Sequence, residues 1–360
     1  MKKTLIALAV LATAGSVNAA QIYGSDTSKV SMKGEIDGYL SSYEQDTTAS
    51  NTNKYDPDVN VWAKIQVDAE HQLNDMFKAF GSFEIENGSD WKGTSSTAKF
   101  DDLYAGVKTD TWGVVFGEHG DWADSMDATE KDDITNEGYY LGNAGGHHTE
   151  STGHGVGFKF YGIDNLTVVA DVTTEQTDGL DNTYGVSLDY TMGNFGVGAS
   201  YQNGEVVDGV DYYKAGVSAS ATFGGLYLAA TYVAYEGVDS FGFFQNDANA
   251  DKDKAADAVI ASSTYYEGNS YGVAAAYTID NLRLYTTYAL MSNDKAKTTT
   301  TTTDLNDADT YNWVLGTDYK VSDNFLVFLE YQTAEAEKDL VTGTDDLSAH
   351  SVVSGFYYTF

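Results

Sequence analysis

The 360-residue chain has no cysteine, one proline (Pro57) and one arginine (Arg283). Without cysteine no disulfide can staple the fold, so a compact disulfide-rich secreted domain is excluded. Closure must come from hydrogen bonding and packing. The near-absence of proline leaves the backbone free to form long ladders, and Pro57 stands at the start of an expected strand, where its missing N–H does little harm. Basic residues are scarce: 20 Lys+Arg stand against 54 Asp+Glu, a net charge of −34. Nucleic acid is thereby excluded as a partner, since its binding needs basic surface. An acidic surface suits solubility, attraction of cations or bridging by divalent ions. Long apolar runs are missing too. Mean hydropathy is negative, and no stretch of about 18 apolar residues that would read as a spanning helix follows the N-terminus.

What is abundant is strand chemistry: 27 Tyr, 16 Phe and 36 Gly, with aromatics favouring strands. The N-terminus carries the basic pair Lys2 and Lys3, an apolar stretch from Leu5 to Ala14, and Val17-Asn18-Ala19 at the cleavage positions. This is the pattern of a secretory signal peptide over residues 1–19. The apolar run is shorter than the roughly 20 residues of a membrane-anchor helix. Cleavage after Ala19 leaves one domain, residues 20–360, two units more negative than the whole chain.

The dominant signal is a repeated unit of about ten residues alternating with period two, followed by a break. Tyr184, Val186, Leu188, Tyr190 and Met192 share one face, and Gly185, Ser187, Asp189 and Thr191 the other. Phe195, Val197, Ala199 and Tyr201 repeat the apolar face after the tight turn at Met192-Gly193-Asn194. The same reading places about sixteen strands, near 29–44, 57–72, 76–87, 98–109, 111–119, 153–162, 165–175, 184–192, 195–202, 211–223, 225–237, 268–279, 281–292, 309–320, 324–337 and 348–360. Short breaks alternate with long polar stretches at 45–56, 120–152, 238–267, 293–308 and 338–347. Short turns on one side and long loops on the other describe an all-β, sixteen-stranded antiparallel transmembrane barrel, with short periplasmic turns and long extracellular loops. Its apolar outer face needs lipid around it.

The inner face is polar. Lys64, Gln66, Asp68 and Glu70 alternate with Ala63, Ile65, Val67 and Ala69. Slipping that register by one residue would put charge in lipid at about 2–4 kcal/mol for a midplane lysine. Lys33, Lys78, Lys159 and Lys214 are further candidate wall cations, and Arg283, between Leu282 and Leu284, also reads as inward. In the strand 98–109, simple alternation puts Asp101 and Asp102 on opposite faces. The Thr298–Thr303 run lies in a long loop and is expected to be mobile.

Several segments resemble the trimeric general porins of Gram-negative bacteria. They are Ala20-Gln21-Ile22-Tyr23, Lys29 to Gly38, Glu70-His71-Gln72-Leu73-Asn74-Asp75, Tyr104-Ala105-Gly106-Val107-Lys108 and Trp112-Gly113-Val114-Val115-Phe116-Gly117. The ending Gly355, Phe356, Tyr358, Phe360 is similar to the signal read by the barrel assembly machinery, with Val353 replacing a usual polar residue. The set is specific, whereas each motif alone is weak. A finer likeness is to acidic porins of marine gamma-proteobacteria.

The resemblance implies a homotrimer in outer-membrane lipid and lipopolysaccharide. It also implies a third loop folded into the lumen, passage of small hydrophilic solutes and cations, and no enzymatic activity. Residues 120–152 take the third-loop position. They bring Asp121, Asp124, Asp127, Glu130, Asp132, Asp133 and Glu137 to a constriction, and such carboxylates favour cations. Motif matching puts Lys64, Asp101 and Thr152 where enteric porins carry wall arginines, and Glu35 where a wall lysine is usual.

No resident metal or cofactor is expected. His147, His148 and His154 lack cysteine company, and Asn246 to Asp253 lacks the glycine and closing glutamate of an EF-hand loop. Loosely bound calcium or magnesium at acidic loops, bridging to lipopolysaccharide, is the stronger expectation. A substrate-specific sugar channel, a barrel enzyme and an adhesin or phage receptor stand as alternatives. The first would be expected to carry an aromatic track, and the second an organised nucleophile.

Overall fold

A computed structural model describes residues 20–48, 51–93, 95–144, 154–245, 260–261, 263–306, 308–341 and 345–360. The expected leader 1–19, Thr152, His147, His148 and the acidic stretch 246–253 lie outside the described residues. The strands run β1 Ala20–Gly24, β2 Ser28–Thr48, β3 Asn51–Gln72, β4 Lys78–Ser89, β5 Ser95–Lys108, β6 Trp112–Glu118, β7 His154–Ile163, β8 Leu166–Thr173, β9 Thr183–Met192 and β10 Phe195–Val207. They continue as β11 Val210–Phe223, β12 Leu226–Val238, β13 Ser240–Phe241, β14 Phe244–Gln245, β15 Tyr265–Ile279, β16 Leu282–Lys297, β17 Thr302–Asp304, β18 Asp309–Ser322, β19 Phe325–Ala336 and β20 Leu347–Thr359.

Eighteen strands bond into one sheet. Two of them, β1 and β17, are short additions; the other sixteen form an antiparallel ring closed by β2 against β20. The alternation decides which face looks where. Phe195, Val197, Ala199 and Tyr201 are exposed on the outside of β10, while Gly196, Gly198 and Ser200 are buried within. The same parity runs through β9, β11 and β15. The exposed outer belt includes Leu188, Val217, Leu228, Val273, Leu315 and Leu329. A belt of this extent calls for a hydrocarbon surround.

The seam of that closure also carries two phenylalanines, Phe356 of β20 and Phe360 just past its end. Phe356 and Phe360 lie across Gly38 and Gly34 of β2, where an added Cβ would sit 2.3 Å and 2.4 Å from the rings. The Phe360 carbonyl accepts from Gly34 N–H at 2.8 Å, and its own N–H returns the bond at 2.9 Å.

Three expectations change. Asp101 and Asp102 do not take opposite faces. A β-bulge sets Asp102 and Leu103 against Phe83 alone, between the pairs Ser82–Tyr104 and Glu84–Asp101. Asp102 takes φ +49°, which turns both carboxylates inward, where both are buried. An extra residue re-aims side chains in this way, and Asp is among the residues that tolerate the left-handed region best.

The stretch 45–56 is not a long loop but a hairpin, since β2 and β3 pair up to Thr48–Asn51. The segment 293–308 is likewise shorter as a loop. There β16 pairs with β17, and the threonine run makes a turn in which Thr298 N–H donates to the Thr301 carbonyl at 2.9 Å. Above the lipid both strand faces are polar, so alternation disappears while the ladder continues.

Candidate functional site

Between β6 and β7 the chain turns into the lumen. A short 3₁₀ helix, Ser125–Thr129, begins this inner path, with Asp124 as its cap accepting from Met126 N–H at 2.7 Å. The helix passes over β10 at Gly198, where a Cβ would fall 1.7 Å from the Ala128 carbonyl oxygen. Polar residues on the inner parity of successive strands then hold the path. Asp171 accepts from Ser125 N–H at 2.6 Å, and Ser218 donates to the Ala128 carbonyl at 2.5 Å. Tyr227 donates to Lys131 O at 2.6 Å and Ser270 to Leu141 O at 2.6 Å.

The firmest anchor is Glu330 of β19. Its carboxylate accepts the backbone N–H groups of Asn136, Glu137 and Gly138 at 2.6, 2.6 and 2.7 Å, and the Tyr285 hydroxyl at 2.6 Å. Consecutive amides converging on an anion form a strong charge-assisted cradle. Beside it, Arg283 donates to Asp318 at 2.7 Å and to the Ile134 carbonyl at 3.0 Å. The residue read as a wall cation is thus on the inner face, buried and engaged in holding the loop.

The seven loop carboxylates separate by role. Asp127 is exposed to the lumen and Asp121 half-buried. Asp124 caps the helix. Glu130 accepts from Asn143 at 2.5 Å, and Glu137 from the Tyr357 hydroxyl at 2.7 Å. Asp132 is buried against β12, bonded by Thr231 and by Tyr140 at 2.8 Å. Burial holds the Asp132 carboxyl above its ordinary range, although both hydrogen bonds pull the other way. Asp133 is buried.

The facing wall is built by β2 to β5. Glu35 pairs with Lys64 across β2 and β3. Lys64 donates to both oxygens of Glu84 at 3.1 and 2.8 Å. Lys99 bridges Glu86 at 3.0 Å and Asp101 at 3.3 Å. Lys33 shares the inner parity of β2 with Glu35. Lys159 donates to the Trp122 carbonyl at 2.9 Å, and Lys214 is buried on β11. Lys131 of the loop pairs with Asp189. At the chain end, Phe356 and Tyr358 share the outer face of β20, Gly355 lies on the inner one, and Phe360 is exposed just past the strand. His154 is exposed, 3.6 Å from Glu118.

Glu84, Glu330, Asp318, Tyr285 and Asp171 were not singled out from sequence. Their signal is inner parity, clearest where both neighbours are apolar, as for Glu330 between Leu329 and Tyr331, and that says nothing about which partner waits across the lumen.

The pattern of a Gram-negative porin family matches residues 4–339. The outer membrane porin protein OmpD of Salmonella typhimurium is 27% identical over 397 residues, with 100% of both chains covered. Two solved structures share the fold. Salmonella typhi OmpF, in complex with daunomycin, aligns with TM-score 0.63 at 19% identity, over 95% of this chain and 100% of the other. The trimer form of in-vitro folded OmpT, an outer membrane protein of Vibrio cholerae, gives 0.59 at 16% identity, over 93% and 100%.

Proposed function

The chain belongs to the Gram-negative porin family, and from that membership we propose that it forms an acidic, cation-selective pore for diffusion of ions and small hydrophilic solutes. It is an outer-membrane porin, and the family and its relatives point to a channel rather than an enzyme. The observation that carries the selectivity is a mismatch of charge in the lumen. The cations Lys64, Lys99, Lys131 and Arg283 each hold a carboxylate. Asp127 is exposed and Asp121 half-buried, and both add negative charge along the water path. A carboxylate about 7 Å from an ion in water contributes roughly 0.6 kcal/mol, near thermal energy. Several such groups between low-dielectric walls therefore favour cations.

The proposal extends to a homotrimer, in keeping with the trimer form of OmpT, and to removal of residues 1–19 on export. Gly355, Phe356, Tyr358 and Phe360 are proposed as the ending read by the assembly machinery. Calcium or magnesium bridging to lipopolysaccharide is proposed at the acidic outer loops.

The test is planar-bilayer recording of refolded residues 20–360 across a KCl gradient. A cation-directed reversal potential, with conductance appearing in triplet steps, is expected. Anion selectivity at low salt would overturn the charge reading. A current blocked by a sugar would favour a substrate-specific channel.

A further inference from the structure

We propose a calcium site in the lumen, formed by Glu84 of β4, Asp102 at the bulge of β5, and Asp121 of the third loop. One carboxylate oxygen from each lies within 4.8 Å of the others. Oxygens on opposite sides of calcium are about 4.6–5.2 Å apart, twice the usual 2.3–2.6 Å bond, and neighbouring ones are closer. A spacing within that bound admits calcium. Magnesium, at about 2.0–2.1 Å with near-ideal octahedral geometry, needs a tighter set and gives up its waters reluctantly.

A carboxylate cluster alone would carry nothing. The second observation is Asp102, which is only 7% exposed, with an Oδ1 that has no hydrogen-bond partner. A buried carboxyl without a donor is costly as an anion, and either a proton or a cation must come to it. The neighbour Lys64 is committed to Glu84 at 2.8 Å. When all three carboxyls are ionised they leave two negative charges against that one ammonium, and a divalent cation cancels both. The ligands come from the wall and from the loop, so a bound ion ties the two together across the water path. Calcium then acts on conduction as an occupant that monovalent ions must pass.

The inference rests on these groups facing the water column, as the proposed pore requires. The test titrates calcium, then magnesium, into single channels held at constant ionic strength. Isothermal calorimetry on the detergent-solubilised protein runs in parallel. Wild-type conductance is expected to fall with an apparent Kd of about 10⁻⁴–10⁻³ M, with magnesium weaker. Asp102→Asn, which keeps shape and loses charge, is expected to raise that Kd about tenfold. Asp121→Asn, on the loop rather than the barrel, does the same should the first variant not fold. Asp164→Asn, in an exposed turn, keeps the wild-type response.

Equal responses in wild type, Asp102→Asn and Asp121→Asn would overturn the site and assign the effect to diffuse screening. Cation preference in KCl with no calcium response also overturns the site while leaving the pore reading intact. Anion preference would instead sink the pore reading.

Discussion

At Glu330 a single buried carboxylate takes four donors, three of them consecutive amides of the third loop. Bonds to a charged acceptor contribute roughly 1.5–3 kcal/mol each, and lumen water recovers part of that once the acceptor is gone. Glu330→Ala is expected to lower the free energy of local opening at 136–138 by about 2–4 kcal/mol. Hydrogen exchange of those amides reads the change, and unaltered exchange would mean that the loop is held unaided by Arg283 and by the bond from Asn136 Nδ2 to the Tyr285 hydroxyl at 2.7 Å.

Asp132 behaves in the opposite sense. Its carboxyl is raised by burial, so the seated loop prefers the protonated form. That contribution is complete below the ordinary carboxylate range and is lost as pH rises through the raised value. Asp132→Asn is expected to remove this pH dependence and leave the loop at least as well seated at neutral pH. Loop protection measured by exchange at acid and neutral pH checks it. The acidity of the loop was legible in sequence. Which acids face water was not, because Asp127 and Asp132 differ only in what the wall presents to them.

Among the elements, the seam of β2 and β20 depends on two notches. A side chain at Gly38 would meet the ring of Phe356, 2.3 Å from the first added carbon. Overpacking of this kind costs about 1–3 kcal/mol. Gly38→Val is expected to lower the temperature at which the barrel unfolds in detergent, followed as a shift of the folded band on a heated gel. Adding Phe356→Ala should recover part of the loss, and no recovery would show that the notch is not the cause.

The bulge in β5, the extended hairpin of β2 and β3, and the extension of β16 were the elements that alternation misread. Alternation assumes one residue opposite one and a single apolar face. A bulge breaks the first condition, and strands beyond the lipid break the second. Elsewhere, as in β9 and β10, both conditions hold, and the expected faces are the observed ones.

For the whole molecule, the excess of acidic over basic residues sets a sign that no local rearrangement reverses. Its reach depends on salt. The Debye length is about 10 Å at 0.1 M and about 3 Å at 1 M. Cation preference is therefore expected to be several-fold to tenfold at about 0.1 M and to shrink markedly at about 1 M. The reversal potential at both concentrations measures it. Preference that did not shrink would point to a narrow coordinating site rather than to the field of the lumen.

The sequence by itself determined the barrel, its strand number and which side of most strands meets lipid, because a period of two and a hydrocarbon surround leave each strand one choice. It also determined the acidic balance of the chain. Only the tertiary structure decided where that charge acts. Arg283 is drawn to Asp318, Glu330 to the loop's amides and Asp102 to the inside by one extra residue. Arg283 and Asp318 meet across neighbouring strands, but Glu330 and Gly138 lie 192 residues apart, and closure of the ring brings them within reach of one another.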